Sequence, residues 1–175
     1  EILKKKKNLR VIAVNRNYHE ASISIKSVVG GYLYQQKDSQ QGEANNLNIV
    51  SDRQPNDEEY AAMDLGWKLV QKVKSNAIVF ANKEQLLGVG AGQMSRIDSV
   101  KIAIQKVTDS DLNLHGSIMA SDAFFPFPDC VELAALSGIT AVIQPGGSIK
   151  DDQVIKKANN LGIAMAFTGI RHFLH

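Results

Sequence analysis

The stretch from residue 117 to residue 168, SIMASDAFFPFPDCVELAALSGITAVIQPGGSIKDDQVIKKANNLGIAMAFT, repeats a short apolar run three times. A helical segment and a glycine, Gly138 or Gly162, separate each run from the next. The three runs are Ser117–Ala120, Thr140–Gln144 and Ile163–Thr168. This alternation predicts a β-α-β-α-β unit, and its crossover helices imply a parallel sheet.

Three loops leave the carboxyl ends of these predicted strands. They are SDAFFPFPD at 121–129, QPGGS at 144–148 and GIRH at 169–172. Parallel α/β sheets bind their ligands at the carboxyl ends of the strands. We therefore expect the chemistry of the second half of the chain to lie along one edge of one sheet.

The loop at 121–129 is the most distinctive segment. Pro126 and Pro128 fix φ and lack an N–H donor, so the segment cannot lie in the middle of a sheet. Its aromatic rings either fill the core or form flat walls for a planar ligand. In the second case the carboxylates of the loop could accept hydrogen bonds from that ligand. These rings and carboxylates belong to Phe124, Phe125, Phe127, Asp122 and Asp129.

The loop at 144–148 and the following tail carry the other candidate contacts. Pro145-Gly146-Gly147-Ser148 opens a helix and would free backbone N–H groups for an anion or a carbonyl. Ser148 followed by Asp151 also fits a capping box that needs no ligand. The guanidinium of Arg171 could bind a phosphate or a carboxylate through two parallel hydrogen bonds. The alternative is that Arg171 is a surface charge without a ligand.

The first half of the chain predicts strands followed by one strong helix. Leu9–Val14 and Val28–Tyr34 have strand patterns, and the polar segment Gln35–Asn48 predicts a surface loop. Asn56 and Glu59 fit a capping box. A helix is then indicated by the spacing of Tyr60, Met63, Trp67, Val70 and Val73.

Next come two apolar runs and a cluster of glycines. Ala77–Ala81 and Gln85–Gly90 are separated by a link of hairpin length. The run from Gly88 to Gly92 imitates a dinucleotide fingerprint, but Gln93 stands where the last glycine is required, so we expect no Rossmann site. Such glycines predict a close approach to the backbone. A second helix is indicated by Ile97, Val100, Ile104 and Val107, with Arg96 near its first turn.

The composition describes an ordinary globular chain. Its 175 residues are 44% hydrophobic and 22% charged, with a net charge of +2, which predicts one domain. Lys4–Lys7 are the only dense basic run, and no aromatic residues alternate with them, so we expect no nucleic-acid partner. Cys130 is the only cysteine, which favours a reducing, cytoplasmic location. No apolar run reaches the ~20 residues that span a bilayer.

Five segments together resemble the AICAR transformylase part of the bifunctional purine-biosynthesis enzyme that also carries IMP cyclohydrolase. This transformylase moves a formyl group from 10-formyltetrahydrofolate to the amino group of the nucleotide AICAR. The segments are KSNAIVFA at 74–81, GVGAGQMSRI at 88–97, MASDAFFPFPD at 119–129, IQPGGSIKDD at 143–152 and TGIRHFLH at 168–175.

The resemblance implies a three-layer α/β fold, similar to cytidine deaminase but without zinc. Its sheet would be largely parallel in the C-terminal half, with an added N-terminal β-rich segment. Residues 1–55 would form a strand-rich lead-in that continues from an upstream segment, and residues 56–175 the transformylase subdomain. The chain would lie in the cytoplasm and form a homodimer through the transformylase domain.

The resemblance also implies roles for individual residues. Asn76 and His175 would support catalysis, and Asp122 would help bind a structural monovalent cation, a potassium ion. The nucleotide would be contacted by Asn76, Phe124 and Arg171. The folate would be contacted by Arg96, Pro126, Phe127, Asp129, Ser148 and Ile149.

One departure from the family limits these expectations. The family's reaction relies on a Lys-His pair, and no Lys-His dipeptide occurs in the 175 residues. The cyclohydrolase domain is missing as well. The sequence thus predicts a C-terminal segment of the enzyme that is inactive alone, and the alternative is a non-catalytic α/β module for nucleotide or folate binding or for assembly.

Overall fold

The computed structural model describes residues 3–13, 23–38 and 47–174. The chain divides into two compact units, Glu1–Ser39 and Gln40–His175. Residues 48–49 lie in the larger unit, because they pair with residues 166–167 of its sheet. In the described part of the chain, no helix is long and apolar enough to cross a membrane.

The smaller unit contains a short 3-10 helix, Leu3–Lys5, and an antiparallel hairpin of β1 (Ile23–Val28) and β2 (Gly31–Gln36). Val28 pairs with Gly31, so Val29 and Gly30 form the turn between the two strands, and Gly30 has a φ of +84°. The strand predicted at Val28–Tyr34 is therefore correct from Gly31 onward, whereas Val28 ends β1. The strand predicted at Leu9–Val14 is wrong for residues 9–13, which form no strand, and Val14 lies outside the described residues.

The polar loop predicted at Gln35–Asn48 is only partly correct. Gln35 and Gln36 end β2, and Asn48 begins β3. Residues 39–46 of this segment lie outside the described part of the chain. The hairpin extends into the predicted loop because Gln35 pairs with Ser24 and Gln36 pairs with Ile23.

The larger unit is built on a six-stranded sheet with the order β3-β8-β7-β6-β4-β5. Strands β6, β7 and β8 run parallel, whereas β3 is antiparallel to β8, and β4 is antiparallel to both of its neighbours. The predicted β-α-β-α-β unit and hairpin are therefore confirmed. The elements are β3 (Asn48–Ile49), α1 (Asp57–Val70), β4 (Ile78–Ala81), β5 (Leu86–Gly90), α2 (Arg96–Asp109), β6 (Ile118–Ser121), α3 (Asp129–Leu136), β7 (Ala141–Gln144), α4 (Asp151–Asn160) and β8 (Ala164–Phe167).

Helices cover both faces of this sheet, and the three-layer α/β class is confirmed. α1 packs against β4, β6 and β7 on one face, and α2, α3 and α4 lie on the other. β4 shows why: Val79 and Ala81 join the cluster with Trp67 of α1, whereas Ile78 and Phe80 join the cluster with α2. Successive strand residues point to opposite faces, so a continuous apolar strand can face two helical layers.

The amino end of α1 is fixed to the amino ends of β7 and β8. The predicted capping box is confirmed, since Asn56 Oδ1 accepts from the Glu59 amide and Glu59 Oε2 accepts from the Asn56 amide, both at 2.9 Å. Arg53 donates to both Glu59 oxygens at 2.7 and 2.9 Å, to the Gly162 carbonyl at 2.7 Å and to the Thr140 carbonyl. Burial alone would raise the pKa of Glu59, but these bonds and the charge of Arg53 hold it below its ordinary value of 4.5.

The glycines after β4 serve helix packing. A Cβ added to Gly90 would lie 1.9 Å from the carbonyl oxygen of Ser99, and one added to Gly88 would lie 2.6 Å from that of Ala103. α2 therefore rests directly on the backbone of β5. The predicted close approach is confirmed, and the approaching group is this helix.

Candidate active site

The candidate site lies at the edge where β5, β6, β7 and β8 end. β4 runs the opposite way and begins there, because Ile78 pairs with both Gly90 and Ser121. The residues just before β4 and the first turn of α2 thus meet the three loops that the sequence placed at strand ends. The expected convergence on one sheet edge is confirmed.

Arg96, at the start of α2, is the central side chain. Its Nε donates to Ser121 Oγ at 3.0 Å, and its Nη2 donates to Asp122 Oδ1 at 2.6 Å and to Asn76 Oδ1 at 3.2 Å. The Arg96 side chain is 10% exposed and that of Asp122 is fully buried. Three segments that are distant in the sequence are therefore joined through one guanidinium.

The amide of Asn76 is held in one orientation. Its Nδ2 donates to the carbonyls of Gln93 and Met94 at 2.9 and 3.1 Å, while its Oδ1 accepts from Arg96. The backbone carbonyl of Asn76 accepts from Ser99 Oγ at 2.8 Å. Both amide donors are in use, so the side chain can offer a ligand only the remaining acceptor capacity of Oδ1.

A cleft of about 290 Å³ opens beside Asn76 and Arg96. It brings together most of the residues that the resemblance assigned to the folate with Asn76 from the nucleotide set. Burial raises the pKa of the Cys130 thiol, and the charge of Asp129 adds to the effect, so Cys130 is a neutral wall of the cleft. The lining residues are Asn76, Met94, Ser95, Arg96, Ile97, Pro126, Phe127, Asp129 and Cys130.

The three rings of the 121–129 loop have different environments. Phe125 is fully buried, and its amide donates to Gln144 Oε1 at 3.0 Å. Phe127 is 51% exposed at the cleft. Phe124 is half-buried, and the Arg171 guanidinium lies 5.2 Å from its ring centroid. The core alternative thus holds for Phe125, and the other two rings remain accessible to a ligand.

The segment after the 144–148 loop lies near the same cleft, since Lys150 Nζ is 4.1 Å from the ring centroid of Phe127. The predicted capping box at Ser148 is wrong: α4 begins at Asp151, and Asp151 Oδ2 accepts from the amide of Gly147 at 2.7 Å. The second glycine delays the helix start past Ser148. One of the N–H groups expected for an anion is therefore already bound. Ile149 is fully exposed.

Asp122, which the resemblance assigned to a potassium ion, is buried beside Arg96. Oδ1 is paired with Arg96, whose positive charge already balances the carboxylate, and only the buried Oδ2 has no partner. Within residues 3–13, 23–38 and 47–174, no group of three or more His, Cys, Asp or Glu side chains could hold a metal ion. The potassium ion that the resemblance implies at Asp122 stays a prediction.

The C-terminal tail lies against the same edge. The amide of His172 donates to the Asp122 carbonyl at 2.9 Å, and its buried ring lies 4.5 Å from that of Trp67. Arg171 is exposed, and its guanidinium lies between the rings of Phe124 and Phe173, at 5.2 and 5.9 Å. His175 lies outside the described residues.

Sequence reasoning missed three polar residues of this edge: Ser121, Gln144 and His172. All three are buried. The signal for Ser121 and Gln144 was their place as the last, polar residue of an apolar strand, since such a residue needs a partner once buried. Nothing local in the sequence identified His172 as a core residue.

Comparison with known proteins places the chain in a family. The family model described as the AICARFT/IMPCHase bienzyme matches residues 1–106. Proteins named bifunctional purine biosynthesis protein PurH from Bacillus thuringiensis (strain Al Hakam) and Bacillus anthracis (strain CDC 684 / NRRL 3495) are each 51% identical over 176 residues. These alignments cover 100% of this chain and 34% of each relative, so the chain spans about a third of their length.

Two solved structures resemble the chain at low sequence identity. A dCMP deaminase from the cyanophage S-TIM5 is 19% identical, with a TM-score of 0.42 over 60% of this chain and 92% of the other. A diaminohydroxyphosphoribosylaminopyrimidine deaminase/reductase from Thermotoga maritima is 20% identical, with a TM-score of 0.39 over 59% and 33%. Because the family model matches more than half of the residues of this chain, we conclude that the chain belongs to the AICARFT/IMPCHase bienzyme family.

Proposed function

We propose that this chain supplies ligand contacts for formyl transfer from 10-formyltetrahydrofolate to AICAR in purine biosynthesis. The observation that carries the proposal is the cleft in which Asn76 meets Arg96, Pro126, Phe127 and Asp129. An apolar cleft with a few fixed polar groups is the usual form of a small-molecule site. The reaction and the two ligands are those that the resemblance to the AICAR transformylase implies, and membership of the AICARFT/IMPCHase bienzyme family supports them.

In this proposal the nucleotide and the folate meet at Asn76. The Oδ1 of Asn76 accepts from the nucleotide carboxamide, Phe124 stacks on its base, and Arg171 binds its phosphate. Pro126 and the half-exposed ring of Phe127 form the folate wall, with the support of Ser148 and Ile149 at the end of the neighbouring loop. Asp129 accepts a hydrogen bond from the folate. His175 stays a candidate for the reaction centre.

We propose that the chain binds but does not catalyse by itself. It contains no Lys-His dipeptide, and formyl transfer needs a group that moves protons between the amine and the formyl donor. The missing groups would come from elsewhere in a longer, cytoplasmic, homodimeric enzyme, since the relatives are about three times as long. The second candidate is a non-catalytic binding or assembly module, and the missing dipeptide by itself favours neither candidate.

Titration calorimetry with AICAR and with a folate tests the binding proposal. We expect saturable binding of AICAR that falls in an Asn76→Ala variant, and no formyl transfer above the buffer rate, since positioned proton transfer contributes about 10² to 10⁴-fold. Wild-type protein that is folded and binds neither ligand would refute the proposal. Formyl transfer that survives repurification would refute the inactivity of the chain alone.

A further inference from the structure

We propose that Ser121 and Asp122 are positioning residues that fix Arg96, and that Arg96 in turn fixes the amide of Asn76 so that the cleft presents a hydrogen-bond acceptor. The site would then select a nucleotide carboxamide, which has N–H donors, over the matching carboxylate, which has none. The ligand class rests on the proposed function. The positioning itself rests only on contacts within the protein.

The donors of Arg96 show that it serves the protein before any ligand. Of its five N–H groups, the one on Nε and the two on Nη2 are committed to Ser121, Asp122 and Asn76. Only Nη1 remains for a ligand. Because the guanidinium is planar, fixing two of its nitrogens fixes the whole group.

The partners of Arg96 are themselves fixed. Ser121 Oγ donates its proton to the Ala123 carbonyl at 2.7 Å, which leaves its oxygen to accept from Arg96. The backbone of Asp122 is held on both sides, since its amide donates to the Ala77 carbonyl at 3.3 Å and its carbonyl accepts from the His172 amide at 2.9 Å. Both residues are fully buried. The acceptors for Arg96 are thus part of the rigid end of β6.

These contacts decide which way the Asn76 amide faces. If the amide rotated by 180°, its oxygen would face the carbonyls of Gln93 and Met94, and its NH₂ would face Nη2 of Arg96. Three favourable contacts would become repulsive. A carboxylate ligand placed against Oδ1 would face an acceptor that cannot turn away. Unpaired polar groups of this kind discriminate strongly between ligands.

The test compares the dissociation constants of AICAR and the corresponding carboxylate nucleotide. We expect wild-type protein to prefer the carboxamide by about 10-fold or more, the value of one neutral hydrogen bond. Arg96→Lys, which keeps the charge but loses the planar fork, should bring the ratio close to one, and Ser121→Ala should lower it. The control is Arg53→Lys, which removes another hydrogen-bonded guanidinium, at the amino ends of β7 and β8, and should leave the ratio unchanged.

Hydrogen exchange of side chains, followed by NMR, tests the positioning without any ligand. We expect Ser121→Ala to speed exchange at Arg96 Nε and at Asn76 Nδ2 by about 10-fold or more, because losing one hydrogen bond of about 1 to 2 kcal/mol opens the network to that extent. Arg53→Lys should leave both sites unchanged.

The outcomes separate the two proposals. Accelerated exchange without nucleotide binding by wild type would support the positioning and remove the proposed function. Unchanged exchange in Ser121→Ala would overturn the positioning, as would an undiminished carboxamide preference in Arg96→Lys.

Discussion

Phe124 and Phe125 are neighbours in the chain with different surroundings, and substitution should separate their roles. Phe125→Ala should cost about 3 to 5 kcal/mol of unfolding free energy, because the ring is fully buried and leaves a cavity. Phe124→Ala should cost less than about 1 kcal/mol of stability and lower nucleotide affinity by about 1 to 2 kcal/mol, the scale of a lost aromatic contact. Denaturant titrations and calorimetry on both variants measure these changes.

A large stability loss in Phe124→Ala with unaltered affinity would remove Phe124 from the site. The surface ring Phe127 is a suitable control, since its truncation should change stability by about 0.5 kcal/mol or less.

Glu59 should make the stability of the chain depend on pH. Its pKa in the folded state is depressed, so its ion pair contributes fully above the ordinary value of 4.5 and is lost as the pH falls through the lower folded value. In Glu59→Gln we expect a loss of about 1 kcal/mol at pH 7, since Arg53 is 35% exposed and screened by solvent. The difference between wild type and variant in urea titrations should shrink below pH 4.5.

A difference that stays constant from pH 7 to pH 3 would contradict the ionic part of this contact. Glutamine can still complete a capping box, so the variant leaves the helix start intact and tests the charge alone.

Single side chains were the part of the site that the sequence predicted least. It identified Asn76, Arg96 and Asp122 as site residues through the family resemblance, but not that one guanidinium joins them. Contacts between residues 20 to 26 positions apart depend on the register of β4 against β6, which no local pattern encodes. The different fates of Phe124 and Phe125 depend on that same tertiary context.

At the scale of elements, the contact between α2 and β5 should tolerate no side chain at Gly90. Gly90→Ala would bring a Cβ to 1.9 Å from the Ser99 carbonyl, so α2 must move and carry Arg96 with it. We expect a loss of about 2 to 4 kcal/mol in unfolding free energy, at the upper end for overpacking, together with weaker nucleotide binding. Thermal denaturation and calorimetry report the two effects.

Gly31→Ala is the matched control. Nothing lies within 4 Å of a Cβ at Gly31, and its φ is not in the left-handed region, so stability should stay within about 0.5 kcal/mol. A well-folded Gly90→Ala protein with wild-type stability would contradict the close packing described for α2.

Elements with a strong period and clear ends were predictable from the sequence. α1 had its capping box, and the apolar runs of β6 to β8 were separated by helical segments that end at a glycine. The start of α4 was missed because Asp151 binds the Gly147 amide, a turn that competes with the capping box at Ser148. The strand predicted at Leu9–Val14 was wrong for residues 9–13, because an apolar run of strand length forms a strand only where another strand pairs with it.

At the scale of the whole molecule, the hairpin should drive self-association. Ile25, Tyr32 and Tyr34 share one face of it and are all more than 60% exposed. A two-stranded hairpin with an apolar face is only marginally stable until that face is covered. We expect sedimentation velocity to show concentration-dependent association, which Ile25→Lys should weaken by about 10-fold, since an apolar contact of about 1.5 kcal/mol is lost.

Ser24→Lys places the same charge on the other face of the same strand and should leave association unchanged. A wild-type chain that stays monomeric at high concentration, without aggregation, would show that the hairpin face does not associate with a second copy.

The buried thiol of Cys130 allows the rate of local opening of the fold to be measured by chemical labelling. Since Cys130 is 1% exposed and its pKa is raised, a disulfide reagent should not modify it while the fold is closed. The sequence has no other cysteine, so every modification event reports on this position. At saturating reagent the labelling rate of Cys130 then equals the rate at which the α3 side of the sheet opens. For the same reason, a fluorophore can be attached to a cysteine introduced at the surface while Cys130 is kept.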